Sequence, residues 1–192
     1  MSTTTRPLLQ IHIGSTRPQR IGPAFAAWFA AMADKHAMFE VEVIDLAEVD
    51  LPFLDEPHHP RLRRYVHQHT LDWSATVERA DAFVLVTPEY NYGYSAVMKN
   101  ALDHLCHEWA DKAVGFVSYG GIGAGTRAVQ QLKQVVTTLR MVPVLESVNI
   151  PFAMKKLTAE HKFANDADAD QAAMLMLDEL ARVTGKLRPA KR

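Results

Sequence analysis

Cysteine is nearly missing from this chain, with a single residue, Cys106, among 192. One thiol excludes an intramolecular disulfide framework and a CxxC metal site. A reducing cytoplasm is the expected compartment. Long apolar runs are missing as well: the uncharged apolar runs are short, as in Ala82–Thr87, so none can span a bilayer. Met1–Pro7 is threonine-rich with one arginine and has no apolar h-region, so no secretory signal is expected. Neither sign of charge is in excess, since 21 Lys and Arg face 22 Asp and Glu for a net charge of -1. A general nucleic-acid binder carries a basic surplus, so neither nucleic acid nor a membrane is expected as a partner. Hydrophobic residues make up 48%, ample for a core, which excludes a disordered chain. The length fits one domain over residues 1–192, with flexible ends expected at 1–6 and 186–192.

Five short apolar runs rich in β-branched residues are present: Leu8 to Ile13, Val41 to Leu46, Ala82 to Thr87, Val114 to Tyr119 and Val142 to Ile150. The first, third and fourth are nearly continuous in apolar character, the pattern of strands covered on both faces. Helical spacing marks the segments between them. Apolar residues recur at three and four in Pro23 to Met38, Arg61 to Ala80, Ser95 to His107, Thr126 to Leu139 and Asp168 to Thr184. Strand and helix thus alternate five times. This predicts a three-layer α/β/α sandwich around a five-stranded parallel sheet. The doubly wound order 2-1-3-4-5 suits it, with ligands beyond the strand C-termini. Asp50 to Pro60, with prolines at 52, 57 and 60, reads as a loop.

The loops after the first, third and fourth strands therefore matter most. The first runs Gly14-Ser15-Thr16-Arg17-Pro18-Gln19-Arg20-Ile21-Gly22-Pro23. Gly22-Pro23 reads as a helix start, and a helix N-terminus with hydroxyls and two guanidinium groups suits an anion. The spacing G-x-x-x-x-G-K-[ST] is absent, which argues against an NTPase. The second, Thr87 to Ser95, holds Tyr90, Tyr92 and Tyr94, three of the chain's five tyrosines. Such rings can stack on or wall in a flat ligand. The third, Ser118 to Thr126, holds four of the nine glycines, which permit close approach of backbone to ligand. Its spacing fails G-x-G-x-x-G, so a Rossmann NAD site is rejected. An anion cradle, an aromatic wall and a glycine-rich backbone on one sheet edge ask for a phosphate joined to a flat heterocycle. FMN has that shape.

Three motifs carry a resemblance: Gly14-Ser15-Thr16-Arg17-Pro18-Gln19-Arg20; Pro88-Glu89-Tyr90-Asn91-Tyr92-Gly93 with Lys99-Asn100-Ala101-Leu102-Asp103; and Ser118-Tyr119-Gly120-Gly121. Together they resemble the NADPH-dependent FMN reductase family over roughly residues 8–150. The resemblance implies a flavodoxin-like fold, bound FMN, NADPH or NADH as electron donor, and a homodimer or homotetramer. It implies hydride passing from NAD(P)H via FMN to a small acceptor: a quinone, an azo compound, chromate or free flavin. It places Ser15, Thr16 and Arg17 at the phosphate, with Arg20, Ile21 and Gly22 closing the cradle. Pro88, Glu89, Tyr90 and Asn91 fall along the ring and ribityl chain, and Ser118, Tyr119, Gly120 and Gly121 at the pyrimidine side. Arg17 and Arg20 are also candidates for the 2′-phosphate of NADPH. No catalytic side chain is expected, because the flavin carries the chemistry.

The alternative is a flavodoxin-like electron-transfer module using FMN without direct NAD(P)H oxidation. Such modules are usually strongly acidic, and a net charge of -1 weighs against that reading. A hydrolase lacks its G-x-S-x-G elbow. His104 stands where many relatives carry an aromatic residue, near their dimer contact, and Leu51 to Pro57 is similar to a subunit-contact segment. His58 and His59 are adjacent, and His67 and His69 would point apart on a helix, so no metal site is expected. His104 and His107 are expected to share a surface or interface face near Glu108. Cys106 is expected to be a small buried residue.

Overall fold

The computed structural model describes residues 6–188. Strand β1 (Leu8–Ile13) lies between β2 (Glu40–Asp45) and β3 (Ala82–Pro88), and β4 (Ala113–Tyr119) follows β3. The fifth run is two strands, β5 (Val142–Pro143) and β6 (Val148–Ile150), both paired to β4. All pairings are parallel and the order is β2-β1-β3-β4-β5, the flavodoxin-like arrangement. The run divides because β5 meets only the start of β4, at Ala113 and Val114, whereas β6 meets its end, from Val117 to Tyr119. Pro143 has no N–H to extend the first ladder.

Alternation along the strands sorts their side chains into two cores. Leu9, Ile11 and Ile13 of β1 and Val84 and Val86 of β3 pack with α1 (Gly22–His36) and α6 (Ala167–Leu187) through Phe25, Phe29, Met176 and Leu177. Phe83, Leu85, Val114 and Phe116 face the other way. They meet Trp73 of α3 (Gln68–Glu78), Leu102 of α4 (Ala96–Asp103), Trp109 and Leu132 of α5 (Thr126–Thr138). The four-residue α2 (Leu46–Val49) follows β2 directly.

The helix expected from Arg61 begins instead at Gln68. A 3-10 turn at Pro60–Leu62 ends with Arg63 in left-handed backbone. The Glu56 carboxylate then accepts hydrogen bonds from the Val66 and His67 amides, which holds this stretch off the helical path. The helix expected through His107 stops at Asp103. Two indoles take its last carbonyls: Trp73 Nε1 donates to Ala101 at 2.9 Å and Trp109 Nε1 to Leu102 at 3.1 Å. His104 is fully buried rather than on a surface face, and His107 lies in a separate 3-10 turn. Cys106 is only partly buried. At the C-terminal end, α6 continues to Leu187 and Arg188 pairs with Asp81 at 3.0 Å. The flexibility expected of residues 1–5 and 189–192 lies outside the described residues.

Candidate functional site

A cleft of about 520 Å³ opens at the C-terminal ends of the strands. The loop after β1 forms one wall. Gly14 donates its amide to Val86 at 2.8 Å and accepts from the Ser95 hydroxyl, which ties this loop to β3 and α4. The Arg20 amide donates to the Arg17 carbonyl at 3.1 Å across a turn with Pro18 inside and Gln19 at φ 56°. Pro at the second position and positive φ at the third are the features of a type II turn. Helix α1 then starts with Ile21 at its cap, which gives the first turn no side-chain hydrogen bond. Pro23 has no N–H and the Ala24 amide donates to the Ile21 carbonyl at 3.1 Å, so the Gly22 amide is the one in this turn that keeps its capacity for an anion. Arg17 is exposed. The Arg20 guanidinium is paired with Asp45 at the end of β2, and its Nε is buried without a partner.

The loop after β3 forms the second wall. Tyr90 and Gly93 exchange backbone hydrogen bonds at 2.8 and 2.9 Å around Asn91 and Tyr92, both at positive φ, the backbone of a type I′ turn. Tyr90 Oη lies 2.8 Å from Ser15 Oγ, joining the two walls. The Glu89 carboxylate pairs with Arg127 and accepts the Arg127 amide at 3.2 Å in the first turn of α5. The Arg127 guanidinium in turn sits 3.9 Å over the Tyr92 ring.

The loop after β4 forms the floor. Tyr119 is 5% exposed and packs on Phe25 at 4.9 Å. Burial, and secondarily Tyr90, pushes its phenol above the usual range, so it stays a neutral hydroxyl and cannot serve as a base near neutral pH. Gly125 has φ +83°, and a Cβ there would come 2.7 Å from Ser118 Cβ and 2.8 Å from the Tyr119 amide. Gly125→Ala is therefore expected to lower unfolding stability by about 1–2 kcal/mol from backbone conformation alone, read from a urea midpoint. An unchanged midpoint would contradict this role for Gly125.

The model of the NADPH-dependent FMN reductase family matches residues 8–155. The chain belongs to that family. An NAD(P)H-dependent FMN reductase of Schizosaccharomyces pombe is 41% identical over 149 residues, covering 76% of this chain and 74% of that protein. An FMN-dependent NADPH-azoreductase of Staphylococcus aureus is 28% identical over 174 residues, covering 88% and 91%. Among solved structures, the flavoenzyme NAD(P)H:(acceptor) oxidoreductase of Paracoccus denitrificans matches with TM-score 0.72 and 19% identity over 94% of this chain and 98% of that one. That likeness speaks for the fold.

In this FMN reductase family member, the cleft gathers Ser15, Arg17, Arg20 and Ile21 from the first motif. Pro88, Glu89 and Tyr90 come from the second, and Tyr119, Gly120 and Gly121 from the third. Four expected residues stand off the cleft wall. Thr16 points to solvent. Gly22 packs beneath, where a Cβ would approach the Tyr119 hydroxyl to 2.8 Å. Asn91 lies exposed at the tip of its turn. Ser118 is fully buried, its Oγ 2.8 Å from the Ala124 carbonyl and 2.9 Å from the Asn149 amide oxygen. The cleft also recruits Gln19 and a segment not anticipated, Phe152 to Lys155. Phe152 and Ala153 donate their amides to Gly121 and Gly120, both at 3.0 Å. The available signal was position: this segment follows the strand that ends at Ile150 beside β4, so it reaches the same edge.

Proposed function

We infer that this chain is an FMN-dependent oxidoreductase that takes hydride from NAD(P)H and delivers it to a small acceptor. The single observation that carries the reading is the coincidence of the family's three motifs on one cleft that begins at an uncapped helix N-terminus. Bound FMN supplies the hydride chemistry, and the protein supplies binding, orientation and electrostatics.

The residues present fit that group. The Ser15 hydroxyl, the Arg17 guanidinium and the Gly22 amide at the start of α1 would hold the phosphate. The buried, partnerless Nε of Arg20 would gain an acceptor there. Asp45 keeps the rest of that guanidinium occupied, so Arg20 orients more than it neutralises. Tyr90 would flank the ring system, steadied by Ser15. The amides of Glu89, Tyr90 and Gly120 are engaged with Tyr119, Gly93 and Ile150. The Gly121 amide has no backbone acceptor among the described residues, which leaves it to meet a polar ring edge. Phe152 is half exposed and Met154 69% exposed at the cleft mouth, where they would exclude water from a second flat ring stacked on the first.

The acceptor belongs to the quinone, azo, chromate or free-flavin group. No helix among the described residues is long and apolar enough to cross a membrane, and the scarcity of cysteine supports a cytoplasmic setting. A homodimer or homotetramer is the proposed assembly, supported by Phe53, 84% exposed in the Leu51 to Pro57 loop. An absorbance spectrum of the purified, FMN-supplemented protein, followed by anaerobic NADPH titration, tests the enzyme. Flavin bands that bleach with one equivalent of NADPH are expected. Flavin bands that persist under excess NADPH and NADH would overturn direct NAD(P)H oxidation.

A further inference from the structure

Away from the cleft, three chain segments bring together a second constellation. Asp55 comes from the loop after α2, His69 from the first turn of α3 and His104 from the end of α4. One ligand-type atom from each lies within 4.8 Å of the others. None of the three lines the cleft.

The ring of His104 is the informative member. It is fully buried, and its Nδ1 lies 2.8 Å from the Asn100 carbonyl. A carbonyl only accepts, so in the neutral ring Nδ1 carries the proton and Nε2 carries the lone pair. That Nε2 is buried with no hydrogen-bond partner. Buried polar atoms are nearly always satisfied, so an orphaned lone pair on a ring that converges with a histidine and a carboxylate asks for an electrophile. An imidazole whose far nitrogen is fixed by a backbone carbonyl is the usual arrangement of a metal ligand. The other two members are already convergent, with His69 Nε2 2.9 Å from Asp55 Oδ1.

The surroundings are built to hold this geometry. Asn100 positions the His104 ring through its carbonyl and pins the Asp55 loop through its side chain. Its Oδ1 accepts the Leu54 amide at 3.1 Å and its Nδ2 donates to Pro52 at 2.7 Å. His67, expected to point away from His69, precedes the helix in extended backbone instead. Its ring stacks on His69 with centroids 5.2 Å apart, and its Nε2 stands 4.0 Å from the other Asp55 oxygen.

We propose that Asp55, His69 and His104 form a binding site for a first-row transition-metal ion of the Zn²⁺ class. Two imidazoles and one carboxylate suit zinc, and three protein ligands leave a fourth position for water. Tetrahedral zinc places its ligand atoms about 3.3 Å apart. Asp55 and His69 already stand closer than that, and a small adjustment relative to His104 brings all three to that spacing. The ion would staple the Leu51 to His67 segment, which carries almost no regular structure, onto α4. The site does not depend on the flavin reading.

The test is calorimetric titration of ZnCl₂ into chelator-stripped, FMN-loaded full-length protein, with thermal melting and trypsin digestion alongside. One Zn²⁺ per chain is expected, with a raised melting temperature and slower cleavage after Arg61, Arg63 and Arg64. His69→Gln and Asp55→Asn change exposed or half-exposed side chains and should each weaken binding at least tenfold while the flavin spectrum is retained. His104→Phe should abolish it. No saturable binding to the wild-type protein would overturn the proposal. So would undiminished binding in both His69→Gln and Asp55→Asn, since the ion would then sit on other histidines such as His58 and His59.

Discussion

Replacing Ser15 and Arg17 together by alanine should weaken FMN binding by roughly two to four orders of magnitude. Each side chain offers a hydrogen bond to a charged phosphate, and such bonds contribute about 1.5–3 kcal/mol apiece. Two of them amount to about 3–6 kcal/mol, and each 1.4 kcal/mol is tenfold in affinity. The fold should survive the double change. Arg17 is exposed. Ser15 is buried, but its partner Tyr90 is 37% exposed, so water can replace the lost contact. Flavin fluorescence quenching reads the affinity and circular dichroism reads the fold. A well-folded double variant that binds FMN as tightly as the parent would remove these two residues from the cradle.

Lowering the pH below 6.5 should erode stability through one residue, His12. It lies on β1 with 1% exposure, and Trp73, Phe83 and Trp109 surround its ring at 5.4–5.9 Å. Its Nε2 meets Gln10 Oε1 at 3.2 Å. Gln10 is oriented in turn, because its Nε2 donates to Glu42 and to the Thr76 carbonyl, both at 2.8 Å. Burial lowers the His12 pKa from 6.5 to about 3. Between those values the unfolded chain holds a proton that the folded chain refuses. Its contribution is therefore fully present above pH 6.5 and is lost progressively as the pH falls toward 3. The slope is about 1.4 kcal/mol per pH unit. Carboxylates add their own titration below about pH 5, so urea unfolding between pH 6.5 and 5 isolates the effect. His12→Gln should flatten the slope there by about one proton. Equal slopes in parent and variant would show that His12 takes up its proton in the folded state.

That histidine marks one limit of reading the sequence. Leu8 to Ile13 is a buried strand by its apolar run, yet Gln10 and His12 lie inside it, and only the Glu42, Thr76 and tryptophan contacts explain how they are accommodated. The sheet order was legible, because near-continuous apolar strands separated by helices leave few right-handed arrangements. The three ligand loops were legible because they follow those strands. Which residues within a turn face the cleft was not, since Thr16 and Asn91 sit among cleft residues and point outward. Phe152 to Lys155 escaped because the motifs lie in the loops after the first, third and fourth runs, and no glycine-rich, aromatic-rich or basic-hydroxyl signature of that kind marks the loop after the fifth, which ends at the same edge. The convergence of Asp55, His69 and His104 is a tertiary fact. It depends on Glu56 holding the chain extended until His67, which no helical periodicity reports.

The central claim is that this cleft recognises its cofactor through the phosphate at the start of α1. Parallel titration of the flavin-free protein with FMN and with riboflavin, which differ only by that phosphate, addresses it directly. FMN should bind at one equivalent per chain and at least about a hundredfold more tightly than riboflavin, as two or more charge-assisted hydrogen bonds require. Equal affinity for the two flavins would contradict the account.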